Sequence, residues 1–261
     1  MSGLTARGLS GLPEIARGTD LAELILAALA AERPERPLRD GQIVAIAHKA
    51  VSKAEGAVVD LNGVRPSARA LELAAEAPGP SDQAKDPRAV QVVLDQSAEI
   101  LRAAGGVLIC RTHHGFVCAN AGVDGSNSVA SDTLIVLPRD PDASARRIRA
   151  RLAELGGARV GVLISDSFGR AWRHGQCDVA IGCAGLTPLD DWRGRADSTG
   201  MELRATWLAV ADAIAALADL ARAKDSREPV VVVEGLERFV SEENGPGAAA
   251  LLRPLAEDLF R

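Results

Sequence analysis

The sequence has few aromatic residues and no excess of positive charge. Aromatic residues make up 3% of its 261 residues, and the formal net charge is −5. A protein that binds single-stranded nucleic acid needs aromatic platforms for base stacking and a positive groove for the phosphate backbone. Aromatic residues are scarce and the chain has no net positive charge. We therefore expect no nucleic-acid partner and predict small-molecule chemistry instead.

The two common glycine-rich phosphate motifs are also absent. No Gly-x-x-x-x-Gly-Lys-Ser/Thr stretch occurs, and no Gly-x-Gly-x-x-Gly stretch follows a predicted strand. These patterns let backbone amides approach a nucleotide phosphate closely. A standard P-loop is therefore excluded, and the missing second motif argues against a Rossmann dinucleotide site. Any nucleotide must be held in another way.

Signals for secretion and membrane insertion are missing as well. The longest apolar stretch, 21–31, contains Glu23 and is too short to span a bilayer. No basic segment precedes an apolar run with a cleavage site at the N-terminus. No Cys-x-x-Cys spacing occurs among the cysteines, which predicts reduced thiols rather than a zinc knuckle or redox pair. The cysteines are Cys110, Cys118, Cys177 and Cys183. We expect a cytoplasmic protein with no membrane partner.

Helices are predicted from N-cap residues and from apolar spacings of three and four. Four helices are expected. The first starts at a capping box of Asp20 and Glu23, the second follows Asp86-Pro87, the third follows an N-cap at Asp142, and the fourth spans the alanine-rich stretch 205–223. Pro34 and Pro37 should end the first helix, and the second should include Leu101 on its inner face.

Short apolar runs predict buried strands. They are expected at 43–47, 57–61, 106–111, 116–119, 133–137, 159–165 and 229–233. The order of helices and strands is not a regular βαβ series, so the fold class should be α+β with a mixed sheet. No internal repeat or linker interrupts the chain, and 1–261 is predicted to be a single domain.

The polar stretch 120–127 is the first candidate for chemistry. Asp124 offers a hard oxygen ligand suited to Mg²⁺ or Mn²⁺, and Asn127 offers a neutral donor and acceptor. The alternative is an Asx-turn connector that binds nothing.

A second candidate, 165–175, follows the strand predicted to end near Ile164. The carboxylate of Asp166 and the hydroxyl of Ser167 could hold a metal at the strand end, and Arg170 and Arg173 could bind phosphate oxygens. The alternative is that these arginines only form surface ion pairs with Asp178 or Asp190.

A third candidate is Lys49, just past a buried strand, together with 52–56. A lysine there can act as a point charge on a nucleotide phosphate, whereas the alternative is a hairpin turn with a solvated lysine. The adjacent His113 and His114 should point to opposite faces of a strand and are predicted to be structural. Taken together, the residues indicate a phosphate-chemistry enzyme with a carboxylate metal site.

Seven stretches make the chain resemble the coenzyme F420:L-glutamate ligase family. They are GLPEI at 11–15, VSKAEG at 51–56, NAGVDGSN at 120–127, LPRDPDASA at 137–145, SDSFGRAWRHG at 165–175, AIGCAG at 180–185 and AVAD at 209–212. They occur in family order and cover 11–235.

The resemblance implies a two-lobed fold without a P-loop, assembled as an intertwined homodimer. It implies that GTP activates the terminal carboxylate of a deazaflavin coenzyme precursor and that the amine of L-glutamate attacks it. It also implies Mg²⁺ or Mn²⁺ as the metal, with K⁺ as a possible addition.

The resemblance also assigns site residues. The nucleotide would contact Gly11, Leu12, Pro13, Glu14, His48, Lys49, Lys53 and Asn127. The metal would be held by Asp124, Asp166 and Ser167, where serine replaces a usual threonine. Asp124, Asp166 and Arg170 would serve catalysis.

The sequence departs from the family after its last long helix. The stretch 222–227 has no glycine, and Lys224 occupies the position of a usual acidic or amide metal ligand. We expect Lys224 to contact the nucleotide phosphates instead. The acid usual after Ala-Asp is replaced by Ala213, and a C-terminal nitroreductase-like domain is expected to be absent. Two alternatives remain open, a related ligase for another carboxylate and an inactive nucleotide-binding dimer.

Overall fold

The computed structural model describes residues 3–32, 38–76, 85–125 and 132–258. Helices in these ranges are α1 (Leu21–Glu32), α2 (His48–Glu55), α3 (Ala68–Glu76), α4 (Pro87–Asp95), α5 (Pro141–Gly156) and α6 (Val210–Leu220). Strands are β1 (Thr5–Gly8), β2 (Ile43–Ala47), β3 (Val58–Asp60), β4 (Ser97–Ala104), β5 (Val107–Thr112), β6 (Val117–Ala119), β7 (Thr133–Ile135), β8 (Gly161–Arg170), β9 (Arg173–Ala184), β10 (Leu189–Asp191), β11 (Trp207–Ala209) and β12 (Val230–Glu234). None of the helices just named is long and apolar enough to cross a membrane.

A five-stranded sheet with strand order β1-β12-β2-β8-β9 forms the centre of the molecule. Strands β2 and β8 are parallel, and the other neighbours in this sheet are antiparallel. The predicted α+β class with a mixed sheet is therefore confirmed. The sequence runs of β2 and β12 are almost wholly apolar because both faces of these strands are covered.

Alternate residues of β2 enter two different cores. Val44 and Ile46 pack in the cluster that includes α1, α2 and α5, whereas Ile43 and Ala45 pack in the cluster that includes α6. This division follows from the two-residue period of a strand. The sheet is thus the middle layer, with α1, α2 and α5 on one face and α6 on the other.

A second group of elements lies beside this three-layer unit. Strands β4, β5 and β6 form an antiparallel sheet, and α3 and α4 pack on it through Leu73, Val90, Leu108 and Cys110. A smaller cluster around Val92 connects α4 with the β3–β7 pair. The two-lobed description and the homodimer stay predictions.

Two predicted helix starts are confirmed by their caps. Asp20 Oδ1 accepts hydrogen bonds from the backbone of Ala22 at 3.0 Å and Glu23 at 3.1 Å. Asp86 Oδ1 accepts from Arg88 N at 2.8 Å, with Pro87 at the first helical position. The predicted helix stops Pro34 and Pro37 lie outside the described residues.

Two predicted helix boundaries are wrong. Helix α5 is capped by Asp140, not Asp142, because Pro141 is preorganised for the first helical position. Asp142 instead accepts hydrogen bonds from the backbone of Cys183 and of Ala248, both at 2.8 Å. The helix that was predicted to include Leu101 ends at Asp95, because the following residues pair with β5 as strand β4.

The alanine-rich stretch 205–223 is only partly helical. Residues Trp207–Ala209 form β11, which pairs antiparallel with β10, and the helix begins at Val210. Here strand pairing overrides the helix propensity of the sequence. The short apolar runs predicted as strands do form strands, with ends shifted by a few residues.

Two polar segments that were expected to be irregular belong to regular elements. Strand β8 continues beyond Ile164 to Arg170 and turns into β9, so 165–175 is mostly a β-hairpin. Lys49 and Lys53 lie on helix α2, not in a hairpin turn, and Gly56 ends this helix in a left-handed conformation with φ 75°.

The contact between β9 and α5 leads to a stability prediction. A Cβ atom at Gly182 would lie 2.5 Å from the backbone carbonyl of Pro141. Backbone cannot give way as a flexible side chain can, so Gly182→Ala should lower the free energy of unfolding by about 1–3 kcal/mol. Gly169→Ala on β8 is the matched control, since no heavy atom lies within 4 Å of its Cβ position. Equal urea midpoints for the two variants would contradict this packing argument.

Candidate functional site

The parallel pair β2–β8 brings two predicted site residues to one sheet edge. Ala47, the last residue of β2, is paired in register with Ser165 on β8. The next residues along each strand are His48, which begins α2, and Asp166. Because both strands run the same way, these side chains meet at the edge where ligands bind in open α/β sheets.

Asp166 is held from two sides. Its Oδ1 lies 3.2 Å from His48 Nε2, at ion-pair distance without hydrogen-bond alignment, and accepts a 2.8 Å hydrogen bond from Ser167 N. The imidazole is almost fully buried, and its Nδ1 lies 3.4 Å from Ser52 Oγ on the next turn of α2. The Asp166 carboxylate is therefore oriented before any ligand binds.

The two lysines of α2 are each paired with a carboxylate. Lys49 Nζ lies 2.6 Å from Asp124 Oδ2, and Lys53 Nζ lies 2.5 Å from Glu14 Oε1. Asp124 is fixed by a β-bridge, since its backbone exchanges hydrogen bonds of 3.0 and 2.8 Å with Ile135. Two carboxylates, Asp124 and Asp166, thus flank the first turn of α2.

The segment 11–14 reaches this helix through Glu14. Gly11 is in the left-handed region with φ 76°, Leu12 packs against the core, and Pro13 and Glu14 are exposed. Asn127, which was also assigned to the nucleotide, lies outside the described residues.

A buried carboxylate that the sequence analysis did not identify as functional lies on β9. Asp178 is 1% exposed and accepts hydrogen bonds from Ser165 Oγ at 2.7 Å, Ser167 Oγ at 2.6 Å and Arg222 Nη2 at 2.6 Å. The sequence had allowed Asp178 as a surface partner of Arg170 or Arg173, but its partner is Arg222. The only available signal was a lone acid among the apolar residues of a strand.

Lys224 is tied to the same cluster. Its Nζ lies 2.9 Å from Ser167 Oγ and 2.7 Å from Asp219 Oδ1. The loop after α6 does use a left-handed residue, as a glycine would, but at Arg227 with φ 57°. Lys224 therefore reaches β8 although the loop has no glycine.

Asp166 and Ser167 are directed to opposite faces of β8. The Asp166 carboxylate meets His48 of α2, whereas the Ser167 hydroxyl meets Asp178 and Lys224. This is the alternation expected of consecutive strand residues. The hydroxyl of Ser167 therefore does not lie next to the carboxylate of Asp166, although the two were predicted to hold one metal.

Arg170 lies at the tip of the β8–β9 hairpin, four residues beyond Asp166 and thus roughly 13 Å along the strand. It is exposed, and its guanidinium donates a 2.5 Å hydrogen bond to the carbonyl oxygen of His174. Its catalytic role stays a prediction. His114 is structural, since its Nε2 lies 2.9 Å from the carbonyl oxygen of Pro138 and its ring stacks on Phe116.

The oxygen donors at α2 suit a cation shared with a ligand. No three His, Cys, Asp or Glu side chains converge as a complete metal-binding group within the described ranges. Mg²⁺ commonly takes only one or two protein carboxylates and completes its shell with water and substrate phosphates. Asp124 and Asp166 fit this second pattern and do not form an all-protein cage.

Two of the buried cysteines, Cys118 and Cys183, are poorly suited to act as nucleophiles. All four are free thiols, and burial raises the pKa of Cys118 and of Cys183 to about 12. Thiols with such pKa values are protonated at neutral pH, and the thiolate is the reactive form. The polar groups described above for the site carry oxygen and nitrogen atoms, not sulfur.

Comparison with known proteins agrees with the resemblance carried by the motifs. The model of the family F420-0:Gamma-glutamyl ligase matches residues 11–235. The protein named Coenzyme F420:L-glutamate ligase from Methanothermobacter thermautotrophicus is 42% identical over 260 residues, which cover 99% of each chain. Proteins of the same name from Methanocaldococcus jannaschii and Methanopyrus kandleri are 43% and 42% identical and cover 86% and 100% of each chain.

The buried cluster on β9 yields a prediction about charge pairing. Asp178→Asn leaves the guanidinium of Arg222 largely buried without its carboxylate, which should cost about 3–5 kcal/mol of unfolding free energy. Arg222→Met should cost a similar amount for the converse reason. The double variant removes both charges, so its loss should be clearly smaller than the sum of the two single losses. Additive losses in urea unfolding would show that the two charges do not depend on each other.

Proposed function

The chain belongs to the F420-0:gamma-glutamyl ligase family, and from this premise we propose that it joins L-glutamate to a carboxylate of a coenzyme F420 precursor, using GTP. The observation that carries the proposal is the first turn of α2. There, consecutive residues His48 and Lys49 face the carboxylates of Asp166 and Asp124. Cations and metal-binding oxygens at one sheet edge are what phosphoryl transfer requires when no P-loop is present.

The proposed reaction has two steps. An oxygen of the precursor carboxylate attacks the γ-phosphorus of GTP, the bond to the β-phosphate oxygen breaks, and GDP leaves. The amine of L-glutamate then attacks the carbon of the acyl phosphate, an amide bond forms, phosphate leaves, and the amine loses a proton. Phosphorylation is needed because a free carboxylate is a poor electrophile.

Lys49 and Lys53 would neutralise phosphate charge. Both ammonium groups project from α2 and are held by Asp124 and Glu14. An incoming phosphate would take over part of this pairing, so the lysines are ordered before the nucleotide arrives. The left-handed Gly11, which has no Cβ, would let the segment 11–14 approach the nucleotide closely.

Asp124 and Asp166 would hold Mg²⁺ or Mn²⁺ together with the phosphates. The bound ion would supply Lewis-acid stabilisation of the charge on the transferring phosphoryl group. His48 and the backbone amide of Ser167 keep the Asp166 carboxylate in one orientation. Outer contacts of this kind usually matter nearly as much as the ligands themselves. An added requirement for K⁺ and an obligate homodimer belong to the same proposal.

The metal-binding assignment can be tested by two charge-removing variants. Asp124→Asn and Asp166→Asn should each lower turnover on the order of a hundredfold or more, because the metal and the charge stabilisation are both weakened. The product is measured by mass spectrometry of the deazaflavin after incubation with GTP, L-glutamate and Mn²⁺. Asp40→Asn, which changes an exposed carboxylate beside Arg159, is the matched control. Normal turnover of either site variant at saturating metal would refute the role of that residue.

Lys224 should set the affinity for the nucleotide. Removing its ammonium in Lys224→Ala should raise the KM for GTP roughly ten- to a hundredfold with little change in turnover, because a charged hydrogen bond contributes about 1.5–3 kcal/mol. Lys224→Glu should weaken GTP binding further, since the new carboxylate would lie beside Asp219 and Asp178. Unchanged GTP kinetics in both variants would place the loop outside the nucleotide site.

A further inference from the structure

Lys85 is a half-buried cation that none of the assignments above uses. It lies immediately before Asp86, the residue that caps α4. Its Nζ donates a 3.2 Å hydrogen bond to Asn120 Oδ1, and the same oxygen accepts a 3.2 Å hydrogen bond from Leu108 N. The same side-chain amide also carries a donor, the Nδ2 group of Asn120.

The environment of Lys85 differs from that of the other site cations. Lys49, Lys53 and Lys224 each lie within 2.7 Å of a carboxylate oxygen. Lys85 has no carboxylate at ion-pair distance among the residues that the structure describes, and its acceptor is a neutral amide. Burial accordingly lowers the pKa of Lys85. A partly desolvated ammonium without a counter-charge is stabilised when an anion binds.

The composition of the chain also sets this residue apart. Of the 30 basic residues, only four are lysines, and the other three are Lys49, Lys53 and Lys224. The chain otherwise uses arginine for its surface ion pairs. A lysine ammonium is a compact point charge that reaches a single anionic group. Lys85 thus shares its residue type with the three proposed phosphate contacts.

The turn that holds Asn120 connects Lys85 to the candidate site. Asn120, Ala121 and Gly122 all have left-handed backbone conformations, with φ values of 49°, 53° and 71°. For Asn120 and Ala121 such conformations are strained and persist where the surroundings fix them. Two residues further along, Asp124 pairs with Lys49. The strained turn therefore fixes the acceptor of Lys85 and the proposed metal ligand in one short segment.

We propose that Lys85 and the amide of Asn120 bind a carboxylate of the amino-acid substrate. This inference rests on the proposed function and assigns a subsite to its second substrate. A single ammonium beside a neutral amide donor matches a singly charged carboxylate. The multiply charged phosphates are matched instead by Lys49, Lys53 and the metal. Holding glutamate by a carboxylate would leave its amine directed at the acyl phosphate near Asp124.

The test compares substrate constants in Lys85→Met with those of the wild type. The KM for L-glutamate should rise about ten- to a hundredfold, whereas the KM for GTP should not change. Lys85→Arg should recover part of the affinity because it keeps the charge. Arg102→Met, which removes an exposed positive charge from β4 in the same part of the fold, is the matched control and should behave as wild type.

Asn120→Asp gives an independent test that keeps the lysine. The new carboxylate would pair with Lys85 and compete with the substrate, so the KM for L-glutamate should again rise. Thermal unfolding of each variant confirms that it is folded. A rise in the KM for GTP instead of glutamate would show that the anion bound is a phosphate and would overturn the proposal.

Calorimetric titration of L-glutamate in the presence of Mg²⁺ and GTP, without the precursor, separates this inference from the proposed function. Wild-type protein should bind glutamate, and Lys85→Met should bind it at least tenfold more weakly. Equal affinities, or no binding to the wild type, would overturn the inference. A wild type that binds glutamate through Lys85 but forms no amide would refute the proposed function and leave this subsite standing.

Discussion

The parallel register of β2 and β8 is the constraint on which the candidate site depends. Pairing Ala47 with Ser165 brings the start of α2 and the carboxylate of Asp166 to one edge of the sheet. Antiparallel neighbours, β12 and β9, lie on either side and leave β2 and β8 buried in the centre. A shift of one residue would turn Asp166 away from His48, because strand side chains alternate between faces. The apolar residues that fix this register therefore also determine that His48 and Asp166 meet at the candidate site.

Charge compensation organises the site around that edge. The cations that project from α2 and from the loop after α6 are each matched with an acid in the chain. The most buried pair, Asp178 with Arg222, joins β9 to the end of α6 and also satisfies two serine hydroxyls of β8. Such a network is stable only when every member has a partner. Under the proposed function, phosphate groups would enter a site whose side chains are already oriented.

Under the proposed function, this arrangement would allow a nucleotide to be used without a glycine-rich P-loop. A P-loop wraps phosphates with backbone amides, whereas here lysine ammonium groups and a metal shared between carboxylates would neutralise the same charge. The arrangement distributes the binding groups over α2, the turn before Asp124, β8 and the loop after α6. Under the inference above, Lys85 extends this set to the side of α4, where it would hold a carboxylate of the second substrate.

The sequence by itself determined the α+β class, most of the buried strands and the polar segments around Asp124 and Asp166, because apolar runs and hard oxygen ligands are local signals. It did not predict β9, although the second half of this strand is buried. The cap at Asp140 did have a local signal in the following Pro141. The strand at Trp207 within an alanine-rich stretch had none, because it depends on pairing with β10. Nor could the sequence show that Asp166 and Ser167 face opposite sides of β8, since it was not known that the strand extended so far. Only the tertiary structure brought Asp178 to Arg222 and Lys85 to Asn120. These residues are 44 and 35 positions apart in the chain, and no local pattern records which distant side chains a fold will place together.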